Sequence, residues 1–281
     1  MGGGETYRLA QGMVSDYALA RLASPAEGVV HSVFRSSLNV SLPGILLHVG
    51  PISSGLSVLG IALPDEMAER FVRSVRVGGL VRLGDGALGI WCQGGVTRIN
   101  LRGLEELPCK VDRLRGAEAV GLCDLLQSMG LEGRLGIPPT GEFDRVAKIL
   151  SHGIFADEES MGCLRWLLGR GRGLTPSGDD VLVGYGIGSL MTGNAEPFLS
   201  LVRQLDLSRT TAVSAAYLGA MMDRFANYDY RLLADRLGRD DLEGAREVLD
   251  GLLRYGATSG ADGLFGMRLA LESALRNQVD G

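Results

Sequence analysis

The hydrophobic period of this chain changes once along its length, and that change limits its folds more than any other feature. From Gly28 to Leu101, apolar residues come in short runs rich in β-branched side chains, over 29–34, 38–42, 45–49, 56–63, 80–83, 88–91 and 96–101. Pro43-Gly44, Gly50-Pro51, Gly84-Asp85-Gly86 and Gly94-Gly95 separate them, which is how strands joined by tight turns read. One short helix interrupts the series, opened by Pro64-Asp65-Glu66 and carrying Met67, Phe71 and Val72 on one side. Residues 7–22 have weak helical spacing. The stretch 102–115 is charged and loses the alternation, and beyond it apolar residues recur every three to four positions. The spacing predicts helices over 117–129, 142–150, from Asp157 to Leu168, and over 196–205, 209–225, 230–237 and 241–255, the last stopping at Gly256. The expected fold class is therefore α+β. A mostly antiparallel β domain (1–112) precedes an all-helical domain (113–281), and 281 residues are enough for both to have a core.

Charge and cysteine usage narrow the partners. With 28 basic against 33 acidic residues and no basic run, nucleic acid is not an expected partner. Gly and polar residues break every long apolar stretch, so no membrane span is expected. Cys92, Cys109, Cys123 and Cys163 have no Cys-x-x-Cys spacing and read as reduced core thiols. The start of the chain has neither the basic nor the apolar segment of a signal peptide, and the expected location is the cytoplasm.

The most distinctive string is Ser177-Gly178-Asp179-Asp180, which follows the loop Gly169-Arg170-Gly171-Arg172-Gly173-Leu174-Thr175-Pro176. It opens an apolar helix that carries Gly184, Gly186 and Gly188. An interior helical glycine costs roughly 1 kcal/mol relative to alanine, so close approach of another backbone is the expected compensation. Ser177 with Asp180 has the spacing of a capping box. The pattern returns at Ser259-Gly260-Ala261-Asp262, after Thr258. Two helix starts of one design are expected to lie near each other across one site; the plainer alternative is two ordinary capped helices.

Gly173 and Gly178 have the glycine spacing of a phosphate-binding loop, but Asp179 and Asp180 stand where that motif needs Lys and Ser or Thr. A carboxylate beside a phosphate is repelled by about 4 kcal/mol at an effective dielectric of 20, so no nucleotide cofactor is expected. Two arrangements remain open. In one, Asp179 and Asp180 hold a Mg²⁺ against an anionic substrate. In the other, the aspartates face the helix start while Arg170, Arg172 and loop N–H groups hold the anion. Thr211 and Ser214 lie one turn apart on a small, apolar helix, where they either bond back to their own helix or contribute to the site. His31 and His48 fall in strand-like runs and read as structural, while His152, in a loop, is a candidate acid or base.

The string 171–180, with Arg209-Thr210-Thr211-Ala212-Val213-Ser214 and Thr258-Ser259-Gly260-Ala261-Asp262, resembles a bacterial family long labelled putative carboxylases. That family contains the AllH subunit of catabolic oxamate carbamoyltransferase, associated with allantoin degradation. The resemblance implies carbamoyl transfer between carbamoyl phosphate and a small amide acid such as oxamate, in company with other subunits or as a homo-oligomer. On this basis the candidate catalytic residues are Asp179, Asp180 and Asp262. The candidate substrate contacts are Arg170, Arg172, Gly173, Thr175, Ser177, Gly178, Thr211, Ser214, Ser259 and Gly260. The rival readings are a non-catalytic anion-binding subunit, a carboxylase-like enzyme on another small carboxylate, and a purely structural helical domain.

Overall fold

The computed structural model describes residues 5–9, 11–92 and 94–279. Its contacts divide the chain into two compact units between Cys109 and Lys110. The fold is α+β, with strands in the first unit and helices in the second.

In the first unit the elements run β1 (Glu5–Leu9), β2 (Met13–Ser15), α1 (Asp16–Arg21), β3 (Ala26–Val33), β4 (Leu38–Leu42), β5 (Ile45–Pro51) and β6 (Gly60–Leu63). Then come α2 (Asp65–Ser74), β7 (Leu80–Gly84), β8 (Ala87–Cys92), β9 (Gly95–Asn100) and β10 (Glu105–Leu107). The strands form one sheet in the order β1-β9-β8-β7-β3-β4-β5-β6-β2-β10. Neighbours are antiparallel except β1–β9, β5–β6 and β2–β10. The β7–β8 turn needs positive φ at both central positions, supplied by Asp85 (54°) and Gly86 (71°), with Gly84 paired to Ala87. Val30, Val40, Leu47, Ile61, Val81, Leu88, Ile90 and Ile99 point into the core from alternate positions. His48 is a core group: its Nδ1 lies 2.9 Å from Asn39 Oδ1, and burial pushes it down to about 4.

Two expectations for this unit need correction. The helical spacing over 7–22 yields helix only at Asp16–Arg21, because Met13 and Val14 pair with β6. Ser15 ends that strand and caps α1, accepting from the Ala18 N–H at 3.0 Å and donating to the Val58 carbonyl at 2.5 Å. Of the run 56–63, only Gly60–Leu63 is strand, since a turn that includes the Gly60 N–H to Ser57 carbonyl bond precedes it.

The second unit contains α3 (Gly116–Gln127), α4 (Gly141–His152), α5 (Glu158–Leu167), α6 (Ser177–Thr192), α7 (Glu196–Val202) and α8 (Ala212–Met222). It continues with α9 (Tyr228–Leu237), α10 (Leu242–Leu252) and α11 (Ser259–Val279). Helix α6 is buried on all sides, and α11 is its main packing partner. The two run side by side in the same direction, so close that a Cβ at Gly184 would overlap the Gly263 carbonyl and one at Gly266 the Val181 carbonyl. Backbone contact is thus the compensation at Gly184 and Gly188, whereas Gly186 makes room for the Met221 side chain of α8. The cysteines are free, and among the described residues no helix is long and apolar enough to cross a membrane.

Candidate functional site at two paired helix starts

The recurring Ser-Gly-x-Asp string carries its surroundings with it. Helix α5 ends at Leu167, whose carbonyl accepts from Arg170 N–H at 2.9 Å; the Arg170 carbonyl in turn accepts from Gly178 N–H at 2.8 Å. Helix α10 ends at Leu252, whose carbonyl accepts from Tyr255 N–H at 3.0 Å; the Tyr255 carbonyl accepts from Gly260 N–H at 3.0 Å. A Cβ at Gly178 would overlap the Leu167 carbonyl, and one at Gly260 the Leu252 carbonyl. One helix–loop–helix element is therefore built twice, and Arg170 and Tyr255 hold equivalent places in it.

The two copies meet at the starts of α6 and α11. Thr175 Oγ1 lies 3.0 Å from Ser259 Oγ, and Ser177 Oγ lies 3.4 Å from Thr258 Oγ1. These hydroxyls bridge the helices instead of capping their own. The expected capping box at Ser177 and Asp180 is absent: Pro176 is the N-cap residue and makes no side-chain cap bond. Its carbonyl accepts from Asp179 N–H at 2.8 Å and Asp180 N–H at 3.2 Å, which leaves the Ser177 and Asp180 side chains available to α11.

The three aspartates have different surroundings. Asp179 is buried, with Oδ1 accepting from Gly169 N–H at 2.7 Å and Oδ2 from the Thr210 hydroxyl. Both oxygens are engaged by protein donors, so the expected Asp179–Asp180 magnesium pair has one member tied into the fold. Among the described residues no three His, Cys, Asp or Glu side chains are grouped to hold a metal ion. Burial pushes the Asp180 carboxyl up to about 8; the charges of Asp262 and Asp179 push the same way, while the Ser259 and Thr175 hydroxyls oppose them. Asp262 is fully buried, and burial raises it too, against the Gly136 N–H, which donates to Oδ1 at 3.0 Å, and the Ser177 and Thr258 hydroxyls.

Among the described residues, three buried side-chain oxygens have no hydrogen-bond partner: Asp180 Oδ2, Asp262 Oδ2 and Ser214 Oγ. Native structures rarely leave such atoms unpaired without a ligand, ion or water to meet them. Thr211 caps α8, accepting from Ser214 N–H at 3.0 Å, and donates its hydroxyl to the Leu174 carbonyl, which joins α8 to the loop before Thr175. The expected loop arginines diverge. Arg170 lies over the Trp166 ring at 3.9 Å and donates to the Trp166 carbonyl at 2.8 Å, whereas Arg172 and Gly173 are exposed. His152 lies outside this cluster, its Nδ1 2.7 Å from the Lys148 carbonyl. It lines a groove of about 340 Å³ with Arg145, Lys148 and Phe155 that includes no motif residue.

Two participants carry no sequence signal. Gly136 reaches Asp262 from the loop between α3 and α4, and a Cβ there would crowd the Ser177 and Thr258 hydroxyls. Tyr230 on α9 is raised by burial and by the nearby charges of Asp180 and Asp229. A lone glycine and a lone tyrosine far from the motifs in sequence have no spacing that marks them.

Residues 167–271, which carry both helix starts, match the family model described as oxamate carbamoyltransferase subunit AllH. The resemblance read from the sequence is thereby shown over that stretch. No curated protein and no solved structure matches the chain.

Proposed function

We propose that this chain is a subunit of an oxamate carbamoyltransferase and that the paired starts of α6 and α11 form its substrate site. The observation that carries the reading is the pair of buried, unpartnered carboxylate oxygens, Asp180 Oδ2 and Asp262 Oδ2, where the two motifs converge within the family-matched segment. The surrounding chemistry suits a small polar substrate: hydroxyls of Thr175, Ser177, Thr258 and Ser259 line the junction. The exposed Arg172 and Gly173 stand on the loop that leads into it, where a phosphate or carboxylate end is met by cation and backbone N–H.

A carbamoyl transfer forms a bond from the acceptor nitrogen to the carbamoyl carbon, breaks that carbon's bond to the phosphate oxygen, and releases phosphate, which takes up the proton lost by the nitrogen. This chain's contribution would be to orient the acceptor and exclude water, since binding two reactants in register supplies much of such a barrier reduction. The test is calorimetric titration of carbamoyl phosphate and oxamate into the chain, alone and with its partner subunits, with phosphate release followed in parallel. Binding that is lost in Asp262→Ala while the fold is retained supports the site. No binding and no phosphate release in any assembly would remove the reading.

A further inference from the structure

Two carboxyl groups meet at the helix starts, and among the described residues no Lys, Arg or His side chain is among the groups acting on them. The charges acting on Asp180 are those of Asp262 on α11 and Asp179 on its own helix, and Tyr230 faces it from α9. Its remaining polar neighbours are the Ser259 and Thr175 hydroxyls. Asp262 Oδ1 accepts from the Gly136 N–H, and the Ser177 and Thr258 hydroxyls beside it lie 3.4 Å from each other, which leaves Asp262 Oδ2 without a partner. Two buried like charges are more costly than one charge beside a neutral carboxyl, so the pair favours keeping one proton. The backbone donor decides where the charge rests: Asp262 has Gly136 N–H, and Asp180 has no such bond.

We propose that the Asp180 and Asp262 carboxyls together recognise the edge of a primary carboxamide, Asp180 as the hydrogen-bond donor and Asp262, held by the Gly136 N–H, as the acceptor. The Asp180 hydroxyl would donate to the amide oxygen, and Asp262 Oδ2 would accept an amide N–H; these use the two carboxyl oxygens that lack partners. A carboxylate ligand offers only acceptors and meets repulsion from Asp262. An ammonium or guanidinium offers only donors and leaves the Asp180 hydroxyl unmatched. A carboxamide offers one of each. This assignment rests on the carbamoyl-transfer reading and specifies which end of the acceptor the carboxyl pair holds.

The test is calorimetric titration of oxamate, oxalate and carbamoyl phosphate into the full chain, assembled with its partner subunits, for wild type, Asp180→Asn and Asp262→Asn. Asn keeps one donor and one acceptor, so Asp180→Asn should hold oxamate within roughly threefold of wild type at pH 7. The same variant should lose the weakening that wild type shows at pH 9, where Asp180 ionises. Asp262→Asn should lose at least about tenfold, and wild type should prefer oxamate over oxalate by a similar factor. Loss of oxamate binding in Asp180→Asn, or equal binding of oxalate, overturns the assignment. Wild type that binds neither oxamate nor carbamoyl phosphate removes the carbamoyl-transfer reading itself, and the assignment with it. Carbamoyl phosphate binding without discrimination between oxamate and oxalate removes the assignment alone. Infrared difference spectra of wild type against Asp180→Asn give a readout independent of ligand. A neutral carboxyl band at pH 7, lost in the variant, supports the proposal, and its absence from wild type overturns it.

Discussion

The α5–α6 and α10–α11 elements are one design carried out with different side chains. Both run a carbonyl from the end of the first helix through a turn to the glycine of the second. The first has a loop three residues longer, containing Gly169, Arg170, Gly171, Arg172 and Gly173. It also has Asp179 where the second has Ala261. Asp179 fastens the longer loop and the Thr210 turn to α6. The second element needs no such tie and is instead braced from outside, by Gly136 on Asp262 and by Asp229 on Tyr255. A shared backbone scheme thus fixes the meeting of the helix starts, while the differing side chains decide what each half offers a ligand.

The sharpest way to break this comparison is to separate the two halves. Gly184→Val puts a branched side chain into the Gly263 carbonyl and should destabilise the helical unit by about 3 kcal/mol or more, seen as a fall in the denaturation midpoint. A neutral outcome would mean the helices are not held in backbone contact. Next is the tie found in only one half. Asp179→Ala removes acceptors from Gly169 N–H and the Thr210 hydroxyl and should cost about 2 kcal/mol in the same assay, whereas Ala261→Gly should cost about 1 kcal/mol.

The carboxyl pair sharpens the contrast through pH. Asp180 keeps its proton to about 8 in the folded chain, while an unfolded aspartate loses it near 3.8. Protonation therefore favours the folded state below the unfolded value, and that contribution is lost as pH rises through about 8. Asp180→Asn should flatten this slope and raise the melting temperature at pH 8 relative to wild type. A variant that melts lower than wild type at both pH 5 and pH 8 would show the carboxyl to be a stabilising cap. The last comparison is between the equivalent positions Arg170 and Tyr255, where the smallest single effect falls on Arg170. Tyr255→Phe loses the 2.6 Å bond to half-buried Asp229 and should cost about 1.5 kcal/mol, while Arg170→Ala, exposed over Trp166, should cost about 0.5 kcal/mol. Equal costs would argue against the different bracing of the two halves.

Much of this arrangement was legible in the sequence because it follows from local patterns. The change of hydrophobic period separated strands from helices, and the repeated Ser-Gly-x-Asp string with its following glycines indicated two helix starts in close company. The local role of the string was not legible. Ser followed three residues later by Asp suits a capping box and equally suits a contact to a second helix; the choice was made by Pro176, whose carbonyl serves the first-turn N–H groups. Arg170 looked like an anion contact but Trp166 lies close enough to take its guanidinium. Thr211, a candidate substrate contact, is turned to the Leu174 carbonyl, and Thr210, which carried no expectation, meets Asp179. Contacts such as Gly136 on Asp262, 126 residues apart, follow from tertiary packing and leave no periodic trace.

The bridge between Ser177 and Thr258 also bears on how the chain folds. Those residues are 81 positions apart, and closing so long a loop costs about 2 kcal/mol more than closing one of ten residues. Helices α7 to α10 lie within that span, so their ordering shortens the search that brings α11 to α6. The hydroxyl junction is then expected to form late in folding, after the intervening helices have docked. Opening it should release both starts as one cooperative unit, so the amides of Gly178 and Gly260 should exchange with solvent at a common rate.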